Sequence, residues 1–157
     1  MNRLKLIAIL LLLGACSPSE QADQTQAIPF KATGDMAHTM RWVLDPAADH
    51  LWGSTGSIIT AEGTEELAPT SEEEWLAVQH SAVVVAETGN LLLMPSRAKD
   101  DGPWREMSLG LIEAGLLAES AANARDPDAL FEAGGQLYRV CKSCHAVYIE
   151  DEAPASP

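Results

Sequence analysis

The sequence predicts an all-α fold, an antiparallel four-helix bundle, on three observations. Apolar residues recur at spacings of three and four in four separate segments. No segment alternates polar and apolar residues over a useful length, which argues against a half-buried sheet. Three of the four segments open on a helix-start signal: Ser71 with Glu74, Gly102-Pro103, and Asp126-Pro127. These segments fall within residues 34–149, roughly 116 residues, a normal size for one domain, and no repeat or composition break divides them.

The first helix is expected from about Asp35 to Gly53, with Met36, Met40, Val43, Ala47 and His50 or Leu51 forming one stripe. Pro46 lies inside it, lacks an N–H and crowds the preceding turn, so a kink or short break is expected near Asp45. Residues 54–70 hold Gly56, Gly63 and Pro69 and are long for a structureless connection; they are expected to pack over the helices through Ile58, Ile59 and Leu67.

The second helix starts at Thr70 or Ser71, where Ser71 and Glu74 suit a capping box and Glu72 and Glu73 complement the helix dipole. Its seam is Trp75, Val78, Ala82, Val85, Gly89 and Leu92, and Pro95 ends it soon after. The third begins at Pro103 and repeats the spacing through Trp104, Met107, Leu111, Ala114, Ala118 and Ala121, small residues that let a neighbour approach closely. The fourth carries Leu130, Gly134, Leu137, Cys141, Cys144 and Tyr148, which places both thiols on its buried seam. His145 sits one position further round, in a column with Phe131 and Tyr138. Gly134-Gly135 are poor helix formers that leave room for a prosthetic group. Trp42, Trp52, Trp75 and Trp104 read as core or cap residues, and His38, His50 and His80 as isolated surface residues.

Residues 1–15 carry Arg3 and Lys5 and then an apolar run from Leu6 to Leu13, about half the length needed to span a bilayer. They read as a signal peptide. The run ends in Leu13-Gly14-Ala15-Cys16, which resembles the lipobox of bacterial lipoproteins, where the Cys is diacylated and becomes the new N-terminus. Several acyl chains on one residue anchor stably, unlike a single chain. Residues 16–33, rich in Ser, Gln, Ala and Thr, read as a flexible tether, and residues 150–157 as a disordered acidic tail. A bacterial envelope protein facing the periplasm is expected; inner and outer membrane both stay open.

The chain has a formal charge of -13, and processing at Cys16 removes Arg3 and Lys5, taking the basic count from 10 to 8 and the charge to -15. Such acidity argues against nucleic acid and suits a redox partner with a basic surface; simple solubility accounts for it equally well.

The residues with the strongest chemistry are Cys141-Lys142-Ser143-Cys144-His145, a Cys-x-x-Cys-His sequence. It reads as covalent attachment of one haem c. On a helix, positions i, i+3 and i+4 share one face, so two thiols reach the porphyrin's vinyl groups while the imidazole turns toward iron. A thioredoxin-like pair wants the motif at a helix start in a βαβ context, and a structural zinc site wants four ligands where no second pair follows His145. With Cys16 taking lipid, no thiol is left for a structural disulfide.

Four helices with this motif near the end of the fourth resemble the cytochrome c′ family, the class II c-type cytochromes, over about residues 34–149. Met40, Pro46 and Trp52 are similar to the low-spin branch, in which a Met precedes a Pro by six residues and an aromatic follows. The resemblance implies His145 as proximal iron ligand, Met40 as sixth ligand and Arg41 as partner of a haem propionate. Core filling by Met40, a vacant distal side, and ligation by Met36 or a His stay open beside it. One departure is that many members carry a basic residue shortly after the motif His, whereas Ala146, Val147, Tyr148, Ile149 and Glu150 follow here. The family's proximal gas chemistry is therefore not carried over.

The expected function is an electron carrier and not an enzyme. The alternatives are a five-coordinate haem module that binds or senses nitric oxide or carbon monoxide, and a structural or assembly lipoprotein with a secondary metal site. Expected partners are a redox protein and the membrane, through the lipid anchor, with a homodimer open and nucleic acid excluded.

Overall fold

A computed structural model describes residues 30–149, and they are mostly helical, with one small two-stranded sheet. The expected signal peptide, the Cys16 lipid site, most of the 16–33 tether and the 150–157 tail lie outside the described residues.

Helix α1 is one helical run in three parts: an α-helical turn Met36–Thr39, a π-helical turn Met40–Leu44 and an α-helix Asp45–Gly53. Asp35 caps it by accepting from the His38 N–H at 2.7 Å. Pro46 can neither donate to a carbonyl one turn back nor tolerate one against its ring. Where a kink or short break is expected, the helix takes a wider turn, and the Asp45 N–H donates to the Met40 carbonyl five residues back. The extra residue displaces the buried stripe at Val43, while Ala47 and Leu51 keep their expected places. Val43 is only half-buried and His50 is exposed, while Leu44, Ala47, Ala48 and Leu51 are buried.

Residues 54–70 are not the packed connection expected. Strands β1 (Gly56–Thr60) and β2 (Gly63–Leu67) pair antiparallel, Gly56 opposite Leu67 and Thr60 opposite Gly63. The turn is Ala61-Glu62, and Gly63 follows it at φ +148, where a side chain would strain. Ile58 and Ile59 are 46% and 78% exposed and anchor nothing. Leu67 is half-buried, and the buried Thr55 hydroxyl donates to the Pro127 carbonyl at 3.1 Å, tying down the hairpin base.

Helix α2 (Glu72–Leu92) opens on the capping box that Ser71 and Glu74 predict. The Ser71 hydroxyl accepts from the Glu74 N–H at 3.2 Å, and the Glu74 carboxylate accepts from the Ser71 N–H at 3.0 Å. Such a cap contributes about 1 kcal/mol. Every residue of the expected seam, from Trp75 to Leu92, is buried.

Helix α3 (Pro103–Ala124) buries Trp104, Leu111, Ala114, Ala118 and Ala121 and leaves Met107 half-buried. Helices α2 and α3 lie very close. A Cβ added at Gly115 would meet the Ala86 backbone nitrogen at 2.5 Å, and one at Gly89 would meet the Ser108 carbonyl at 2.8 Å. Arg125 ends α3 in a left-handed conformation, φ 56, and its Nε lies 3.2 Å from the Glu72 carboxylate, tying that end to the start of α2.

Helix α4 (Pro127–Tyr148) is capped by Asp126, which accepts from the Ala129 N–H at 3.0 Å. It packs along α3, as α3 packs along α2, while α1 reaches both α2 and α4. Leu51, Val78, Val85, Leu130 and Leu137 form the fully buried centre. Among the described residues, no helix is long and apolar enough to cross a membrane.

Candidate functional site

The seam of α4 changes character after Leu137. Leu130, Gly134 and Leu137 are buried, but Cys141, Cys144 and Tyr148 are half-buried and His145 is exposed. The thiols are thus less enclosed than their place on the seam predicts. Beside the last turns of α4 lies a cavity of about 460 Å³, which Cys144 lines and Cys141 does not.

Its lining comes from three elements. Helix α1 contributes Met36, Ala37, Met40, Arg41 and Asp45; the entry to α3 contributes Lys99 and Trp104; the end of α4 contributes Cys144, His145, Tyr148 and Ile149. The volume is in the range of small-molecule and cofactor pockets. Met40 and Arg41 both sit on the π turn, so the widened turn forms one wall. Met36, Met40, Cys141, Cys144 and Tyr148 all pack against the rim of the core. A slightly larger groove of about 510 Å³, lined by His50, Ser54, Glu73 and Glu74 among others, holds no thiol and lies apart from the motif.

Burial pushes the Cys141 thiol up to about 11, with the neighbouring Cys144 and the Asp45 carboxylate adding to it, and burial also raises Cys144. Both groups are therefore neutral thiols near pH 7, and they are not bonded to each other. A thioredoxin-like pair works the other way, through a thiolate stabilised at low pKa.

The turn that carries His145 is held by a tertiary anchor absent from the sequence reading. Tyr148 donates its hydroxyl proton to the Asp100 carboxylate, and its ring stands edge-on to Trp104 with centroids 4.9 Å apart. The other Asp100 oxygen accepts from the N–H groups of Gly102 at 2.8 Å and Trp104 at 3.1 Å. Trp104 in turn donates its indole N–H to the Leu92 carbonyl at 2.9 Å. Burial and the Asp100 bond push the Tyr148 phenol up to about 12, so it stays a donor, while the same bond lowers Asp100. The end of α4 is thereby tied to the start of α3 and the end of α2.

Other sequence expectations divide. Trp75 and Trp104 are core residues, but Trp42 is 67% exposed. The space at Gly134 goes to Trp52, whose indole donates to the Gly134 carbonyl at 3.0 Å and would lie 3.3 Å from an added Cβ. Phe131, Tyr138 and His145 are all exposed, and of these only His145 lines the cavity; His38, His50 and His80 are also exposed and lie outside it. Compared with protein-family models, curated proteins and solved structures, the chain matches none.

Proposed function

We propose that the chain is a haem c electron carrier of the bacterial envelope, a four-helix bundle held to a membrane by lipid on Cys16. One observation carries this reading. A single cavity is lined by Met40 and Arg41 from α1 and by Cys144 and His145 from α4, residues that lie at opposite ends of the folded chain.

The donor set fits a haem. Cys141 and Cys144 are free thiols one helical turn apart, the reduced state and spacing needed for two thioether bonds to a porphyrin edge. His145 follows directly and faces the cavity, where its imidazole serves as proximal ligand. Met40 presents a soft thioether from the α1 wall; Met ligation raises a haem's reduction potential. Arg41 supplies a guanidinium for a propionate carboxylate. When bound, the haem supplies a one-electron ferric/ferrous couple. The chain's own residues would hold it, with Met36, Met40 and Trp104 supplying apolar wall, and keep the His145 turn in place through the Tyr148–Asp100 bond. The excess of acidic over basic residues, 23 to 10, suits docking to a redox protein with a basic surface.

The purified protein should show a low-spin optical spectrum with a weak near-infrared Met-to-iron band, and Met40→Ala should remove that band. A high-spin spectrum with rapid uptake of carbon monoxide in the unmutated protein would instead establish a five-coordinate gas-binding module. Anchoring is tested separately: Cys16→Ser should move the protein from the membrane fraction to the soluble fraction, and its retention in the membrane would overturn the lipid assignment.

A further inference from the structure

The cavity beside α4 reverses the charge of the chain around it. Acidic residues outnumber basic ones 23 to 10 overall, yet this cavity is lined by two cations, Arg41 and Lys99, against one carboxylate, Asp45. The cations come from different elements, Arg41 from the π turn of α1 and Lys99 from the segment entering α3. Neither forms an ion pair with a described residue; the pairs there are Arg105 with Glu106 and Arg125 with Glu72.

Lys99 is exposed, but its backbone is not free to wander. The next residue, Asp100, accepts hydrogen bonds from Gly102, Trp104 and Tyr148. The last of these is on α4, three residues beyond His145. The segment that presents Lys99 is therefore fastened to the same turn that presents the imidazole, so the cation and the ligand keep a common frame.

We propose that Lys99 is a cofactor-binding residue that works with Arg41 to hold the two carboxylate arms of the bound porphyrin, and that the Asp100–Tyr148 bond keeps it in place to do so. The proposal rests on the haem reading above. Arg41 offers a planar fork for one carboxylate, and Lys99 offers a compact ammonium for the other. A cation at this edge also favours the reduced iron, which carries one positive charge fewer, so removing it shifts the couple toward the ferric form.

The test uses the full-length protein with its haem. Lys99→Gln should keep covalent haem, scored by haem stain after denaturing electrophoresis. It should shift the ferric/ferrous balance about threefold toward the ferric form, ~28 mV for a one-electron couple. The shift should be largest at low ionic strength, because Lys99 is exposed and salt screens it, and Lys99→Arg should restore the original potential. Arg139→Gln removes the same charge on the α3-facing side of α4 and serves as the control. A Lys99→Gln potential that moves no further than the control, with haem attached, overturns this proposal alone. Absence of covalent haem from the unmutated protein overturns both the proposal and the reading beneath it.

Discussion

Replacing Cys141 and Cys144 together by serine is expected to abolish covalent haem completely. Haem staining after denaturing electrophoresis should fall to background, because no other thiol among the described residues can take either bond. Serine nearly matches the size of cysteine, and both positions are half-buried, so α4 has little reason to unravel. The far-UV circular dichroism of the apoprotein should therefore remain helical. Each single variant leaves one thioether and should keep part of the stain. Covalent haem in the double variant would defeat the assignment of this motif, whatever the spectrum of the unmutated protein.

Gly115→Val is expected to be the most damaging single change to the fold. Its Cβ would lie 2.5 Å from the Ala86 nitrogen and 2.8 Å from the Ala86 Cα, backbone atoms that cannot turn aside as a side-chain tip can. Helices α2 and α3 would have to separate along the contact that both seams are built to make. Overpacking of a dense interior costs about 1–3 kcal/mol, and a clash with backbone belongs at the upper end. In a domain of this size that lowers the melting temperature by about 10 °C or more. Gly53→Ala is the matched control, since nothing lies within 4 Å of its added Cβ and its φ is unstrained; it should be neutral or gain about 0.4–1 kcal/mol. Thermal unfolding followed by circular dichroism separates the two, and equal melting temperatures would show that the α2–α3 contact is not tight.

Legibility in the sequence follows the range of the interactions involved. Helices α2 and α3 are legible almost residue by residue, Met107 excepted, because burial repeats every three or four positions and Ser71 and Pro103 mark their starts locally. In α1 the buried stripe departs from its expected course at Val43, where Leu44 is buried instead, because a π turn adds a residue and a strict 3.6 period has no place for it; Ala47 and Leu51 beyond it are buried as their spacing predicts. The hairpin was invisible for a different reason. Neither of its faces is buried, so Ile58, Ile59, Glu65 and Glu66 do not alternate, and only Gly63 hints at the turn.

At the candidate site, five adjacent residues carry their own helical geometry, which is why Cys141, Cys144 and His145 could be named from sequence alone. The facing wall is a tertiary fact. That Met40 and Arg41 share a cavity with His145 depends on how α1 meets α4, and residue spacing does not record it. Lys99 and the Asp100–Tyr148 bond lie further still from any local pattern, being one surface cation and a contact between residues 48 positions apart.

The hairpin has a consequence for how copies of this chain meet one another. A two-stranded sheet has two unpaired edges, and each is a template on which another chain can lay down a strand. Exposed Ile59 would reward such pairing. β2, however, carries Glu65 and Glu66, so two hairpins meeting along that edge bring carboxylates together and repel. The β2 edge is thus guarded against its own copies by two carboxylates, and replacing Glu65 and Glu66 would leave the hairpin paired within the molecule but that edge unprotected.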